Sequence, residues 1–160
     1  MFFRRYENKD LEEMTRQWNI ILEDGVAFPG TELYDIDSFK EMIEAQTEVR
    51  SMIVDDKVAG FYILHPNNIG RCSHVSNASF VLDPAFRGQH LGHYLVEDCI
   101  AQAKINGFRG MQFNAVVDSN KAALHIYEKC GFKKVGTIPG GFLLKDGTYS
   151  DMHILYLSLI

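Results

Sequence analysis

The sequence predicts one α/β domain whose sheet has antiparallel strands at its flanks. Its 160 residues fit a single ordinary domain, and 46% of them are hydrophobic, which is enough to build a sizeable core. Strand-like and helix-like segments alternate along the chain, as is typical of this class. No internal repeat, low-complexity tract or linker divides the chain, so we expect residues 1–160 to form one domain.

The N-terminal part of the chain predicts a strand, two helices and the loop between them. Phe2, Phe3 and Tyr6 indicate the strand. The first helix has Asp10 as its expected N-cap and apolar residues at helical spacing, namely Leu11, Met14, Trp18, Ile21 and Leu22. Residues 25–35 predict a loop that can border a pocket. The second helical stripe consists of Phe39, Met42, Ile43 and Val49.

A β-hairpin and a further strand are expected in the middle of the chain. Residues 51–54 and 58–64 are both strand-like, and the acidic residues Asp55-Asp56 between them tolerate the backbone geometry of a tight turn. The next strand covers residues 75–82. Asp83-Pro84 should end it, because proline has no N–H to donate to a ladder.

The rest of the chain predicts two helices and three strands. A helix is expected from Gly88 to a C-cap at Asn106-Gly107, with one apolar side made of Leu91, Leu95, Cys99, Ile100 and Ala103. Residues 111–117 form a short apolar strand. Asp118-Ser119-Asn120 then cap a helix that ends near Gly131, and residues 132–138 and 152–159 are the last strands.

Charge and cysteine content exclude several classes of partner. The net charge of −5 gives no electrostatic reason to expect nucleic acid or an anionic membrane surface. Cys72, Cys99 and Cys130 match no disulfide framework or metal signature, so we expect no bound metal and a reducing cytoplasm. The chain has no apolar run of about 18 residues to span a bilayer, and residues 1–10 are charged, unlike a signal peptide.

The segment from Val81 to His93 is the most informative part of the sequence. It passes from a strand through a turn into a helix whose first residues are glycine-rich. Unpaired amides at a helix start and the helix dipole bind anions such as pyrophosphate, and Arg87 adds positive charge. The alternative, in which the glycines serve only a tight turn, stays open on this segment alone.

The same segment resembles the acetyl-CoA loop of the GNAT superfamily, R/Q-x-x-G-x-G/A, in the run Arg87-Gly88-Gln89-His90-Leu91-Gly92. The resemblance implies the GNAT fold, a mixed and mostly antiparallel twisted sheet flanked by helices, with acetyl-CoA as cosubstrate. It assigns cofactor contacts to Val81, Leu82, Arg87, Gly88, Gln89, His90, Gly92 and His93. His90 departs from the pattern, where glycine is usual, so either the backbone needs no glycine-only geometry there or the loop sits differently on the phosphates.

A second motif follows in the expected order. Residues 120–132 are similar to the family signature N-x-x-A-x-x-x-Y-x-x-x-G-F. By position, Asn120 would contact the pantetheine arm, and the Tyr127 hydroxyl would lie near the sulfur and act as a catalytic acid. By its helical spacing alone, Tyr127 would be a core residue.

A narrower resemblance concerns the substrate amine that would accept the acetyl group. Residues 77–80, 111–117, 136–139 and 149–152 resemble yeast enzymes that acetylate proline analogues such as azetidine-2-carboxylate. This likeness implies that Asn77, Phe80 and Asn114 line the substrate pocket, with Asn114 also catalytic.

The implied mechanism is direct attack of an amine on the thioester. The amine must first lose a proton, and the sequence shows no clear catalytic base: His74 and His153 are unranked candidates, while asparagines can only orient groups. A strand amide near Val81 would stabilise the oxyanion if that strand splays where the cofactor inserts. We expect Cys130 to be a buried helix residue and not a nucleophile.

Together these patterns predict a small-molecule N-acetyltransferase whose substrate is an amine, with a proline-like amino acid as one candidate. Two alternatives stay open: acetylation of peptides or proteins, and a catalytically silent acetyl-CoA-binding sensor. The family resemblance also implies a homodimer.

Overall fold

The computed structural model describes residues 1–160 and contains one seven-stranded sheet flanked by four helices, which confirms the predicted α/β architecture. The strands are β1 Phe2–Arg5, β2 Glu48–Val54, β3 Lys57–Pro66, β4 Val75–Leu82, β5 Gly110–Val117, β6 Lys133–Leu143 and β7 Tyr149–Ser158. The helices are α1 Leu11–Asp24, α2 Ile36–Glu44, α3 Gly92–Ile105 and α4 Lys121–Lys129. The strand order is β1-β2-β3-β4-β5-β7-β6, and only the β4–β5 pair is parallel.

Strands β1 to β4 form an antiparallel meander in which each strand pairs with the next one in the sequence. The predicted β2–β3 hairpin is confirmed. Its turn residues Asp55 and Asp56 have φ values of 49° and 62°, a left-handed conformation that aspartate tolerates better than most residues. β4 spans residues 75–82 as predicted, and Asp83-Pro84 ends it.

The β4–β5 junction is short. Only two residue pairs join the strands, Val75 with Gly110 and Ser76 with Met111. Beyond these pairs the strands diverge, so the splay that the oxyanion hypothesis requires is present. β5 instead pairs with β7 on its other side, with an irregularity between Phe113 and Val116.

The core has two parts, one on each face of the sheet. Alternate side chains of β3 point to opposite faces, so Phe61 and Ile63 pack with α1 and α2 whereas Tyr62 and Leu64 pack with α3. Both parts are fully enclosed at their centres, where Phe61 and Tyr62 have no exposed surface. None of the helices combines the length and hydrophobicity needed to cross a membrane.

Four local expectations are corrected by the structure. The helix expected from Gly88 begins at Gly92, because residues 88–91 form a separate turn. Val49 lies in β2 and not in the second helix. Asp10 precedes α1 as expected, yet its carboxylate accepts from the Arg4 side chain and the Glu7 amide and caps no α1 amide. The strand expected over residues 132–138 continues to residue 143.

Candidate active site

A cavity of about 970 Å³ opens where β4 and β5 diverge, between the sheet and the N-terminal ends of α3 and α4. We call it the cleft. It brings together eight of the residues predicted from the sequence: Asn77, Phe80, Leu82, Arg87, Gly92, Asn114, Asn120 and Tyr127. The other five, Val81, Gly88, Gln89, His90 and His93, do not line it.

The turn before α3 presents a row of free backbone amides. None of the amides of residues 88–93 donates a hydrogen bond to a protein group, and no side chain caps the helix. Gly88 and His90 have φ values of 80° and 58°. Left-handed residues therefore alternate here with residues of negative φ, and this alternation curves successive amides into a concave arrangement of the kind that binds anions. The left-handed backbone at His90 favours glycine but does not require it, because histidine is among the side chains enriched in this conformation.

The approach to this turn is fixed by Asp83, which is buried. Its carboxylate accepts a hydrogen bond from the Ala85 amide at 3.0 Å and one from the Arg16 guanidinium at 2.7 Å. Because Arg16 lies on α1, this ion pair joins α1 to the start of the amide-rich turn.

The β3–β4 ladder decides which β4 amides face the cleft. The Asp83 amide donates to Ala59 O at 2.8 Å, and hydrogen-bonded pairs alternate along an antiparallel ladder. The Val81 amide therefore points to β3, and its side chain is buried on the α1 face. The amides of Phe80 and Leu82 point away from β3, into the space between the diverging strands β4 and β5. Of the β4 amides near Val81, these two are therefore the candidate donors to the oxyanion.

Tyr127 on α4 lies in an aromatic group at the centre of the cleft. Its ring centroid is 4.6 Å from that of Phe113 and 6.1 Å from that of Phe80. The hydroxyl has no hydrogen-bond partner in the protein. Burial raises the pKa of the Tyr127 phenol above its usual value of 10, so the group is protonated at neutral pH. It can donate a proton to an atom in the cleft.

Asn120 is the N-cap of α4, as predicted. Its side-chain oxygen accepts from the Ala123 amide at 3.3 Å, which leaves its NH₂ group free beside the cleft.

Asn77 and Asn114 are connected through a third amide, Asn67, which the sequence did not identify. Asn67 Oδ1 accepts from Asn77 Nδ2 at 3.1 Å and from Asn114 Nδ2 at 2.7 Å. The oxygens of the two outer asparagines each accept one hydrogen bond, from the Ala78 amide at 2.7 Å and from Gln112 Nε2 at 2.8 Å. No local pattern marks Asn67, which lies in the loop after β3.

The far wall of the cleft comes from two loops. Asp24 and residues 26–29 line it from the end of α1 and the loop that follows, and Leu144 lines it from the β6–β7 hairpin. The loops meet where the Lys145 amide donates to Gly25 O at 3.2 Å. Asp24 is the single carboxylate among the lining residues, and it makes no ion pair within the protein. The sequence indicated a pocket-lining loop here but not this carboxylate.

Neither candidate histidine lines the cleft. His74 is exposed, whereas His153 is buried, with Nε2 2.7 Å from Asp118 Oδ1 and Nδ1 2.9 Å from Thr137 Oγ1. The hydrogen bond from His153, together with Lys121, lowers the pKa of Asp118. His153 therefore ties the turn before α4 to the sheet. Cys130, expected to be a buried helix residue, is half-buried and is the C-cap of α4. Its burial raises the pKa of the thiol, which is unfavourable for a nucleophile.

Comparison with known proteins gives a family match. The model of the acetyltransferase (GNAT) family matches residues 11–132. N-acetyltransferase aca1 of Schizosaccharomyces pombe is 31% identical over 96 residues, which cover 59% of this chain and 46% of the yeast protein. The putative phosphinothricin acetyltransferase YwnH of Bacillus subtilis is 28% identical over 160 residues, which cover 97% of each chain.

The fold is also found among solved structures. That of yncA, a putative acetyltransferase from Salmonella typhimurium with its cofactor acetyl-CoA, superposes with a TM-score of 0.90 at 20% identity. The superposition covers 100% of this chain and 94% of the other.

Proposed function

Because the chain belongs to the acetyltransferase (GNAT) family and is an acetyl-CoA-dependent acetyltransferase, we propose that it acetylates the amine of a small, amino-acid-like molecule. The observation that carries this proposal is the set of polar groups that line the cleft beside the splayed strands. It offers N–H donors from Asn77 and Asn114 and one carboxylate, Asp24, to the acceptor.

The proposed cofactor contacts rest mainly on backbone groups. The consecutive free amides of residues 88–93 suit the pyrophosphate of acetyl-CoA, and Arg87 adds positive charge beside them. The free β4 amides suit the amide groups of the pantetheine arm, with Asn120 on the opposite side of the cleft. His90 in this turn and His93 at the start of α3 remain proposed phosphate contacts.

The proposed acceptor is a zwitterion. Asn77 and Asn114 each keep one N–H that is not committed to Asn67, and N–H groups bind a carboxylate and not an ammonium. Asp24 offers the opposite charge, which attracts an ammonium. An α-amino acid carries both groups, and proline-like amino acids belong to this class. Phe80 supplies the apolar surface between them.

The chain's own groups then account for each step. The acceptor amine loses its proton to water or to Asp24 and attacks the thioester carbonyl, forming the N–C bond. The Phe80 or Leu82 amide stabilises the oxyanion, and Asn114 holds the acceptor in line. As the C–S bond breaks, Tyr127 donates its proton to the sulfur to give the coenzyme A thiol. The N–H proton still carried by the attacking nitrogen passes through water to the Tyr127 phenolate, and the neutral N-acetyl product leaves.

The contact between Gly25 and Lys145 supports a small acceptor over a peptide. It joins the two loops that would flank an open peptide groove. The alternatives, peptide acetylation and a silent sensor, are therefore outcomes of the test below.

The test is an acetyl-transfer assay with a panel of amines: cyclic imino acids, phosphinothricin and other α-amino acids, polyamines and peptide N-termini. We expect turnover with small amino acids in preference to the polycations and peptides. Asn77→Ala should raise KM for the preferred acceptor by roughly tenfold, the effect of one lost hydrogen bond to a charged group. Turnover confined to peptides or polyamines would refute the amino-acid proposal, and no turnover with any amine would favour the sensor.

We also propose a cytoplasmic homodimer. The three cysteines are free, which fits a reducing compartment. The edge strand β6 exposes Val135 and Leu143 by 63% and 59%, so apolar surface is present for a second copy. Light scattering in solution tests the oligomer.

A further inference from the structure

We propose that Asn67 is a positioning residue that holds Asn77 and Asn114 with their free N–H groups directed into the cleft. The inference rests on the proposed function, since it concerns how the acceptor is recognised. Asn67 is itself anchored, because its backbone N–H donates to Val75 O at 2.8 Å, at the first residue pair of the β4–β5 junction.

Asn67 occupies the point at which the sheet opens. The last β4–β5 pair is Ser76 with Met111, and Asn77 and Asn114 lie just beyond it on the diverging strands. One oxygen, Asn67 Oδ1, accepts from both, at 3.1 Å and 2.7 Å. The shared oxygen therefore links β4 and β5 where the hydrogen bonds between their backbones have ended. It also limits the separation of the two side-chain nitrogens.

The shared oxygen also sets the direction of the remaining donors. Each NH₂ group has two hydrogens, and one of them is committed to Asn67. Since the amide group is planar, fixing one N–H fixes the other. The two free hydrogens thus serve as a matched pair for the oxygens of one acceptor carboxylate. Without Asn67, each side chain would lose one of its two constraints.

The matched variants are Asn67→Leu, which keeps the size of the side chain but has no acceptor, and Asn68→Leu at the exposed next position. Asn68 accepts only from the Ile69 amide and lies outside the cleft. In Asn67→Leu we expect KM for the preferred amino acid to rise roughly tenfold, as for the loss of one or two neutral hydrogen bonds. KM for acetyl-CoA and kcat should change less than about twofold. Asn68→Leu should change none of them.

A second measurement needs no substrate. Proton–nitrogen NMR of the free enzyme should show that the side-chain NH₂ signals of Asn77 and Asn114 move in Asn67→Leu and return in Asn67→Asp, which retains the acceptor oxygen. Asn68→Leu should leave them unchanged. If Asn67→Leu does not fold, Asn67→Ala takes its place, with thermal unfolding as the folding control.

Unchanged amide signals, or a KM for the amino acid equal to that of Asn68→Leu, would overturn the proposal. If the wild-type enzyme acetylates no amino acid, the proposed function fails, yet the NMR comparison still decides whether Asn67 holds the two asparagines.

Discussion

The two ends of the cleft are built in different ways. The end assigned to acetyl-CoA comes from two continuous segments, residues 81–93 and 120–132, and it offers mainly backbone amides. The acceptor end is assembled from separate places in the chain, including the end of α1, the loop after β3, and the β6–β7 hairpin, and it offers side chains. Substitutions at the acceptor end should therefore change the choice of amine and leave acetyl-CoA binding unaffected.

The largest effect is expected at Tyr127, which lies where the two ends meet. Tyr127→Phe keeps the ring and its packing but removes the proton for the departing sulfur, so kcat should fall by up to roughly 100-fold. Acetyl-CoA affinity and thermal stability should change little. Since the raised pKa keeps the phenol protonated below its usual value of 10, the loss should be constant across neutral pH. Steady-state kinetics at several pH values measure it.

Tyr149→Phe is the control, because Tyr149 is 70% exposed and lies outside the cleft. An unchanged kcat for Tyr127→Phe, with chemistry rate-limiting, would refute the acid role and leave Tyr127 as a packing residue. Complete inactivation would point to a further role in holding the thioester.

Asp24→Asn should give the next largest effect, and only at the acceptor end. The loss of a charge-assisted contact should raise KM for a cationic amine by about tenfold or more. Calorimetric titration should show unchanged acetyl-CoA affinity. Glu23→Gln, which removes the neighbouring exposed charge outside the cleft, should have little effect on either value. A matching fall in acetyl-CoA affinity would mean that the two ends are not separable.

His90→Gly should give the smallest effect, at the cofactor end. Glycine adopts the left-handed backbone at this position without the roughly 1 kcal/mol steric cost of other residues, although it loses more entropy on folding. Acetyl-CoA affinity should therefore equal or slightly exceed that of the parent. A tenfold loss of affinity by calorimetry would show instead that the imidazole is a phosphate ligand.

The same contrast explains what the sequence could predict. The end of β4 follows from Asp83-Pro84, the residues directly after it, and the prediction is confirmed. The N-cap Asn120 likewise follows from the turn residues directly before α4. Residues 88–91 were predicted as helix because their glycines and the following apolar stripe are compatible with one, whereas the left-handed backbone at Gly88 and His90 breaks it. Asn67 carries no local signal.

Asp24 is a site residue that the sequence could not predict. It follows the apolar stripe of α1 as an ordinary exposed helix end, and its position in the cleft depends on how α1 packs on the sheet. Val49 shows the reverse case, because its helical spacing of seven residues from Met42 is accidental and strand pairing with Ile63 decides its conformation. Contacts between distant segments carry this information, and a single sequence does not display them.

The strand order also determines when the site is completed during synthesis. β7 lies between β5 and β6 although it follows both in the chain, and β5 contacts β4 through only two residue pairs. Until residues 149–158 leave the ribosome, most of β5 has no partner, and Asp118 lacks both His153 and the carbonyl of Asp151. The turn that presents Asn120 is therefore fixed only after β7 inserts. The proposed cofactor site, although encoded in two compact segments, is thus completed late, when the strand that follows them has been translated.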